Sequence, residues 1–306
     1  MVIPTRGRPE LLEQALRSVR ESSIPVHHVV VADDGPDDAT TLVAARNGAE
    51  LLSTGGGRGP AAARNAALER VETEFVIFLD DDDLLLPRGL ELLREALVLS
   101  SDAPFAWGRA LWAARTPAGW EPGSLVATRA DELEDVLCSL YARNSVPASG
   151  ALVRADAARA AGGYPTRLEF SEDHLFWLRL AVRARPVHVP DLVSIYRRHL
   201  GNRHTPLRAS RAEEAIGELA REDERLAGCL ARRRGVQLCE LAVETVKRRR
   251  TGPMVEALGA ARREGTLTPE ALGAGLRHWR RRRQGRGALR RTWSARADVR
   301  AWLATY

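Results

Sequence analysis

The residues best suited to chemistry are four consecutive aspartates, Asp80–Asp83, which directly follow the apolar run Phe75–Leu79. Adjacent carboxylates repel one another, and this repulsion lowers stability unless a cation lies among them. A solvated acidic turn would also explain such a run, but the apolar residues before it place it at the edge of a sheet. Carboxylate oxygens are ligands that Mg²⁺ and Mn²⁺ prefer in proteins. We therefore expect a divalent metal, Mn²⁺ or Mg²⁺, as a cofactor at this strand end.

A second strand-like run, Val29–Val31, leads into Asp33-Asp34-Gly35. Taken alone, this segment is ordinary, because Asp-Gly is a common turn and Asp38 would serve as a helix cap. Beside the first acidic cluster it becomes a candidate nucleotide site. A carboxylate there would accept hydrogen bonds from a base N–H or from ribose hydroxyls.

A third acidic pair, Glu172 and Asp173, follows Ser171 at the start of a segment with helical apolar spacing. Ser171 is a good N-cap, which would place both acids in the first helical turn. One interpretation is that they only complement the helix dipole. The other is that the same positive potential keeps Asp173 ionised, so that its carboxylate can take a proton from an acceptor hydroxyl.

The order of these segments resembles that of glycosyltransferase family 2, the inverting enzymes with the GT-A fold. The resemblance covers about residues 2–202 and depends on seven short motifs, each of them weak alone. Pro36 stands where the family usually has serine. The motifs are Ile3-Pro4-Thr5-Arg6, Asp33-Asp34-Gly35, Ala63-Arg64-Asn65, Phe78-Leu79-Asp80-Asp81-Asp82-Asp83, Gly162-Gly163-Tyr164, Glu172-Asp173 and Tyr196-Arg197-Arg198-His199-Leu200-Gly201-Asn202.

The resemblance implies metal-assisted transfer of a sugar from a nucleotide-diphosphate donor to an acceptor hydroxyl, with inversion at the anomeric carbon. It makes Asp173 the general base, with Glu172 beside it, and makes Asp82 and His199 metal ligands. A UDP-sugar is the expected donor, and the acceptor is unidentified. Trp107, Gly108 and Trp112 are expected to border the acceptor. The expected donor contacts are Pro4, Thr5, Arg6, Asp33, Asp34, Arg64, Asp80, Asp81 and Asp83.

Residues 9–20 have apolar Leu12, Ala15, Leu16 and Val19 at helical spacing, which predicts a helix with these side chains on its buried face. Strand-like and helix-like segments alternate through the first two-thirds of the chain. This alternation predicts an α/β fold with a mostly parallel sheet and helices on both faces. Residues 115–121 are expected to form a loop. The pattern beyond Pro206 is almost wholly helical and begins with a helix predicted over residues 209–231. We therefore predict a GT-A nucleotide-sugar-binding and catalytic domain over residues 1–206 and a basic, mainly helical region over residues 207–306.

Three other functions fit parts of the sequence. The segment Gly57–Ala62 matches a G-x-G-x-x-A dinucleotide fingerprint, but a ribose needs one acid and the following strand carries four. A sugar nucleotidyltransferase would use a similar sheet and metal, but the Gly-rich first loop with a lysine is missing. The third alternative is a non-catalytic nucleotide- or lipid-binding protein whose basic tail grips anionic lipid.

The net charge of +6 is unevenly distributed along the 306 residues. Residues 207–306 carry 23 Lys and Arg against 12 Asp and Glu, whereas the part before them is weakly acidic. Lys247 is the only lysine, which indicates a composition bias toward arginine, and we expect no nucleic-acid partner. One hypothesis is that the basic tail makes peripheral contact with the inner face of a membrane. Sedimentation with anionic liposomes at low salt tests it, and no binding there would contradict it.

The three cysteines, Cys138, Cys229 and Cys239, are too few and too scattered to indicate a disulfide framework or a zinc site. We expect them to be reduced thiols. The start of the chain lacks a signal-peptide pattern, and no apolar run approaches the length of a membrane span. These features together predict a cytoplasmic location.

Overall fold

The computed structural model describes residues 1–35, 37–117, 119–126, 133–199, 210–248, 252–280 and 297–306. They form two compact units. The first comprises Met1–Thr128, Val146–His204 and Asp298–Tyr306, and the second comprises Arg129–Ser145 and Thr205–Ala297. The functional division at residue 206 stays a prediction. By compactness, residues 129–145 group with the second unit and residues 298–306 with the first.

The first unit consists of two sheets and the helices that pack on them. Its elements are β1 (Val2–Thr5), α1 (Pro9–Arg20), β2 (Val30–Asp33), α2 (Asp38–Arg46), β3 (Glu50–Ser53), α3 (Pro60–Leu68), β4 (Phe75–Ile77), β5 (Leu84–Leu85), α4 (Gly89–Leu99), β6 (Phe105–Thr116), β7 (Gly119–Val126), a 3₁₀ turn (Ala148–Gly150), β8 (Ala151–Arg154), α6 (Ala155–Ala160), α7 (Glu172–Ala181), β9 (Val187–Arg198) and α13 (Ala297–Leu303).

The first sheet has the order β1-β2-β3 and is entirely parallel. The second has the order β4-β8-β6-β9-β5, with β7 added to β6. In it, β6 and β9 pair in parallel and the other pairings are antiparallel. A parallel bridge between Val2 and Phe78 joins the two sheets. The predicted α/β fold class is confirmed, whereas the antiparallel pairings of the second sheet went unpredicted.

The helical spacing read from the sequence buries the expected face of α1. Pro9 occupies the first turn, where its missing N–H costs nothing. Leu12, Ala15, Leu16 and Val19 are buried, as predicted, in a core that also contains side chains of β1, β4 and α4. This packing fixes α1 beside the strand ends that carry the acidic residues.

The topology brings two of the acidic segments to one edge of the sheet. β1 pairs with β2 on one side, where Thr5 lies opposite Asp33, and with Phe78 on the other. The N–H of Leu79 donates to the carbonyl of Val2 (3.0 Å). Because all three strands run parallel, the residues that follow them emerge at the same edge, where ligands of such sheets bind.

Two helix starts differ from expectation. The cap of α2 is Asp37, whose Oδ1 accepts from the N–H of Thr40 (2.7 Å), and not Asp38. Ser171 precedes α7 but makes no side-chain cap, because its backbone is left-handed (φ 61°). Positive φ is uncommon outside glycine, and such residues concentrate at functional sites.

The expectation of a loop over residues 115–121 is wrong. β6 continues to Thr116, and β7 begins at Gly119, whose φ of 119° suits glycine. Arg115 pairs with Trp120, and Trp120 is buried. Burial of this indole outweighs the local turn-forming composition that suggested a loop.

The second unit is helical, as predicted. A helix predicted over residues 209–231 is divided at Asp223, which caps the following helix by accepting from the N–H of Arg225 (3.0 Å). Among the described residues, none of the helices combines the length and apolar character that crossing a bilayer requires. The helices are α5 (Val136–Ala142), α8 (Ser210–Glu222), α9 (Glu224–Gly228), α10 (Leu230–Arg248), α11 (Gly252–Arg263) and α12 (residues 269–280).

The expectation of three reduced thiols is wrong for two of them. Cys138 of α5 and Cys229, between α9 and α10, form a disulfide across 91 residues of chain, with Cα atoms 5.1 Å apart. Cys239 is a buried free thiol. Sequence spacing could not reveal the pair, because only the folding of the second unit brings the cysteines together. The thiol argument for a cytoplasmic location is thereby removed.

Thiol titration tests this disulfide. We expect one reactive thiol per chain when the oxidised protein is denatured, and three after reduction. Closure of a loop this long is expected to stabilise the second unit by about 2–4 kcal/mol, so the Cys138→Ser variant should unfold at a lower temperature. Three reactive thiols before reduction would contradict the disulfide.

Candidate active site

Three of the four consecutive aspartates form an acidic cluster. Carboxylate oxygens of Asp80, Asp82 and Asp83 all lie within 4.8 Å of one another. The cluster offers only oxygen atoms, which suits a hard divalent cation. It lies where the sequence placed it, directly after the strand that contains Phe75–Ile77.

Asp81 contacts the first strand and the start of α1. Its fully buried carboxylate accepts from the hydroxyl of Thr5 (2.6 Å) and from the guanidinium of Arg8, including an Nε contact of 3.1 Å. Thr5 and Asp81 were both predicted to contact the nucleotide-sugar donor, and the structure brings these two residues together. Arg8 was not predicted.

Asp82 has two neighbours with side-chain nitrogen atoms, Arg8 and His199. Its Oδ2 accepts from Arg8 Nη1 (2.8 Å) and lies 3.0 Å from His199 Nε2. The predicted metal ligands Asp82 and His199 are therefore adjacent. His199 is outside the group of carboxylates whose ligand atoms converge, so its role as a ligand stays a prediction.

Asp83 is almost fully buried and is held by neutral donors. Its Oδ2 accepts from the hydroxyl of Ser149 (2.6 Å), and its Oδ1 accepts from the backbone N–H of Arg197 (3.0 Å). The same Ser149 oxygen accepts from the N–H of Asp80 (3.0 Å). Ser149 thus fixes both ends of the aspartate run.

Arg64 links the acidic cluster to the start of α7. Its buried guanidinium donates to Asp80 (2.5 Å) and to Glu172 (3.2 Å) and lies 5.0 Å from the ring centre of Tyr164. Burial would lower the pKa of Arg64, but the charges of Asp80, Tyr164 and Glu172 outweigh that effect and raise it. Arg64 therefore remains a cation that holds two acidic segments together.

The residues beside Arg64 show why two of the sequence motifs occur together. Asn65 donates to the carbonyl of Tyr164 (2.8 Å) and accepts from its N–H (2.8 Å). Gly163 has φ 65°, and a Cβ there would lie 2.5 Å from Asn65 Oδ1. Only glycine combines this backbone conformation with so close an approach. The two motifs form one joint that positions α7.

Asp173 begins α7 beside Glu172 and is half-buried. Its Oδ1 accepts from the N–H of His174 (2.8 Å). The phenol of Tyr196 has its pKa raised, first by burial and then by the charges of Asp83, Asp80, Asp82 and Asp173. Tyr196 belongs to the last of the seven motifs, but no role was predicted for it. Its phenol is influenced by the charges of both the acidic cluster and the predicted base.

Burial and the repulsion of neighbouring carboxylates disfavour the charged forms of two aspartates of the run, Asp81 and Asp83. Burial, followed by the charges of its neighbours, raises the pKa of Asp83 well above its ordinary value. The pKa of Asp81 is raised to about 7, mainly by burial, although Arg8 opposes the shift. Protons on these carboxyls are one way to relieve the repulsion, and a cation bound among them is the other.

Asp34 is held by the glycine-rich loop before α3. Its two oxygens accept from the hydroxyl of Thr54 (2.6 Å) and from the N–H groups of Arg58 (2.8 Å) and Gly59 (2.8 Å). Burial alone would raise its pKa, but these hydrogen bonds and the charge of Arg6 lower it below the ordinary 3.8. Asp34 is thus an ionised anchor for this loop, and its contact with a base stays a prediction.

Asp33 is fully buried and accepts from the N–H of Gly35 (3.0 Å). Burial raises its pKa above the ordinary value. Pro4 is buried on β1, whereas Arg6 is exposed and its side chain covers Gly35. The residues predicted to surround a base therefore lie together at the ends of β1 and β2.

The loop geometry bears on the dinucleotide alternative. A dinucleotide-binding loop offers backbone N–H groups to a pyrophosphate at a helix N-terminus. Here the N–H groups of Arg58 and Gly59 already donate to Asp34. In this chain the residues that match the fingerprint form a loop that is anchored on the carboxylate of Asp34.

Two of the three residues expected to border an acceptor belong to the core. Trp107 is fully buried and contacts the rings of Phe105 and His188. A Cβ on Gly108 would lie 2.5 Å from a methyl group of Val193, so this glycine permits close packing. Trp112 is half-buried, and its ring centre is 4.3 Å from that of Tyr196.

Arg8, Ser149 and Arg197 contact the aspartate run, and sequence reasoning missed all three. Arginine is abundant throughout the chain, so its presence carried no signal. One clue existed for Arg8 and Arg197, since each lies within or beside a predicted motif. Ser149 precedes β8 with no motif around it.

Residues 1–103 match the model of glycosyl transferase family 2. Over 101 residues the chain is 32% identical to the GalNAc(5)-diNAcBac-PP-undecaprenol beta-1,3-glucosyltransferase of Campylobacter jejuni. The aligned segment covers 31% of this chain and 33% of that enzyme. The match therefore spans about a third of the curated relative.

Solved structures of TarS from S. aureus share the fold. The 1-349 fragment in complex with UDP-GlcNAc superposes with a TM-score of 0.59 and 19% identity, over 91% of this chain and 88% of that one. The same fragment in complex with UDP gives 0.56 and 20%, over 75% and 68%. At such identities the likeness supports the fold alone.

The fold and the acidic strand end define an α/β protein of the GT-A class. The resemblance inferred from the sequence is confirmed over residues 1–103, where the chain matches the model of glycosyl transferase family 2.

Substitution of Asp34 tests the anchored loop. In Asp34→Asn, an amide N–H₂ faces a backbone N–H that Asp34 now satisfies, and we expect a loss of about 1–3 kcal/mol in the free energy of unfolding. Amide exchange over residues 54–59 should quicken. Asp37→Asn is the matched control, because asparagine caps a helix as well as aspartate does.

The pH dependence has a defined sign. Because the pKa of Asp34 is lowered in the folded protein, its contribution is present above the ordinary pKa of 3.8 and is lost as the pH falls below it. The difference in stability between wild type and Asp34→Asn should therefore shrink below about pH 4. A difference that stays constant down to pH 2.5 would contradict the role of the ionised carboxylate.

Proposed function

We propose that this protein is an inverting glycosyltransferase that uses a divalent cation and a nucleotide-diphosphate sugar. The observation that carries the proposal is the convergence of Asp80, Asp82 and Asp83 within 4.8 Å at a strand end, with Arg64 tying that cluster to the helix that begins at Glu172 and Asp173. The family match over residues 1–103 gives independent support.

The acidic cluster fits a hard divalent cation such as Mn²⁺ or Mg²⁺. Three carboxylates supply oxygen ligands, and the pKa of Asp83 is raised, first by burial and then by the charges of Asp82 and Asp80. We assign Asp82 as the principal ligand, with Asp80 and Asp83 beside it and His199 at its edge. A cation there would screen the charge that develops on a departing nucleoside diphosphate.

The chain's own residues account for the remaining steps. Asp173 takes the proton of an acceptor hydroxyl, and the resulting oxygen forms a bond to the anomeric carbon. The bond from that carbon to the phosphate oxygen breaks, and the nucleoside diphosphate leaves. Attack from the face opposite the leaving group inverts the anomeric centre in a single displacement. Arg64, held between Asp80 and Glu172, keeps the acidic cluster and the base in one arrangement.

For the donor we propose a UDP-sugar. TarS structures with UDP and UDP-GlcNAc share this fold, and the Campylobacter jejuni relative is a glucosyltransferase. We place the base near Pro4, Thr5, Arg6, Asp33 and Asp34, which lie together at the ends of β1 and β2. The curated relative acts on a lipid-linked acceptor by its name, and a lipid-linked glycan is the first acceptor class to test.

Calorimetric binding of UDP, dTDP, GDP and CDP, with and without Mn²⁺, tests the donor site. We expect metal-dependent binding of UDP to wild type and a loss of at least about tenfold in Asp82→Asn, because the amide is a weaker ligand without charge. Asp102→Asn, at an exposed acid in a turn, is the matched control and should bind like wild type. Metal-independent binding, or none, would contradict the proposal.

Substitution of the proposed base separates binding from chemistry. Asp173→Asn should keep Mn²⁺ and nucleotide affinity within about threefold while the release of nucleoside diphosphate to an acceptor falls by about 10²–10⁴-fold. Asp156→Asn is the control, since Asp156 is an exposed acid in the first turn of α6. Unchanged turnover in Asp173→Asn would exclude this residue as the base.

A further inference from the structure

Arg197 contacts the aspartate run through its backbone and its side chain, and no part of the proposed mechanism uses it. Its Nε donates to the carbonyl of Asp82, and its Nη2 lies 3.3 Å from the carbonyl of Asp81. Its backbone N–H donates to the carboxylate of Asp83 (3.0 Å). One residue therefore contacts the peptide carbonyls of Asp81 and Asp82 and the carboxylate of Asp83.

The side chain of Arg197 is fully buried, and it is braced from the other side by α1. Nη1 donates to the side-chain oxygen of Gln14, and Nη2 also lies 3.3 Å from the carbonyl of Leu11. Burial lowers the pKa of Arg197 to about 10, so the guanidinium stays charged at neutral pH. A planar fork that reaches three carbonyl groups and an amide is a geometry that lysine cannot reproduce.

The outer face of α1 is in turn held by residues 302–306, which we call the C-terminal clasp. Arg17 donates to the carbonyl of Thr305 (2.7 Å), and its guanidinium lies 3.6 Å from the ring centre of Tyr306. Glu21 accepts from the indole of Trp302 (2.7 Å) and from the hydroxyl of Tyr306 (2.9 Å). Gln14 reaches the carbonyl of Tyr306 at 3.5 Å.

We propose that Arg197 is a positioning residue that holds the backbone of Asp81 and Asp82 and the carboxylate of Asp83 in their cation-binding arrangement, and that Gln14 and the C-terminal clasp brace it. Each aspartate in this run repels its neighbours, so the loop would spread if its backbone were released. Ligand oxygens bind a cation well only when they are held close together before it arrives. This inference rests on the proposed function, because it concerns the same cation site.

The test is Mn²⁺ affinity, measured from the free-ion electron paramagnetic resonance signal, together with amide exchange over residues 80–86. In Arg197→Lys we expect Mn²⁺ binding to weaken by at least about tenfold and this segment to exchange faster. Arg154→Lys is the matched control. Arg154 also donates to two backbone carbonyls, of Ala103 (3.1 Å) and Leu97 (3.0 Å), and it contacts no aspartate of the run. It should stay within about twofold of wild type.

Two substitutions of Gln14 keep the inference testable if Arg197→Lys folds poorly. Gln14→Glu retains an acceptor for Arg197 and should bind Mn²⁺ within about twofold of wild type. Gln14→Leu removes the acceptor and should weaken binding by about three- to tenfold. A double substitution in the clasp, Trp302→Ala with Tyr306→Ala, should weaken it by about threefold.

The outcomes separate the two proposals. If wild type binds no Mn²⁺, the proposed function fails and this inference fails with it. If wild type binds Mn²⁺ and Arg197→Lys and Gln14→Leu bind it equally well, only the inference is overturned. Equal weakening in Arg197→Lys and Arg154→Lys would also overturn it, since the effect would then follow general stability. An unchanged clasp variant would remove the clasp from the brace.

Discussion

Burial of three adjacent carboxylates, Asp81–Asp83, beside the half-buried Asp80 is the constraint on which the rest of the first unit depends. A buried carboxylate without a partner costs several kcal/mol, and breaking a buried pair typically costs about 3–5 kcal/mol. Each aspartate of the run has its own hydrogen-bond or ion-pair partners. Asp80 faces Arg64, Asp81 faces Thr5 and Arg8, Asp82 faces Arg8 and His199, and Asp83 faces Ser149 and the N–H of Arg197.

These partners come from segments far apart in the chain, and this explains why several short motifs must occur together. Arg8 precedes α1, Arg64 lies in α3, Ser149 precedes β8, and Arg197 and His199 lie at the end of β9. The sheet order places those segments around the strand end after β4. Compensation is incomplete, because burial still raises the pKa of Asp81 to about 7. The charges of Asp82 and Asp80 add to this shift, so some repulsion remains within the run.

The sequence predicted the parts of this arrangement that depend on local order. An apolar run followed by acids marks a strand end, and helical spacing marked α1 correctly. Contacts that depend on tertiary packing were out of reach. The pairing of Asn65 with Tyr164 and the grip of Arg197 on three carbonyl groups and an amide appear only in the folded chain. The disulfide was missed because only the folding of the second unit brings its cysteines together. The hairpin at Trp120 was missed because the composition of residues 115–121 is typical of a loop.

The most direct test of a cation site at this strand end is an anomalous-scattering experiment on crystals grown with Mn²⁺ and UDP. Our account predicts a manganese peak about 2 Å from carboxylate oxygens of the cluster formed by Asp80, Asp82 and Asp83, with the diphosphate against the same ion. A nucleotide bound elsewhere, with no peak at this cluster, would contradict the central claim.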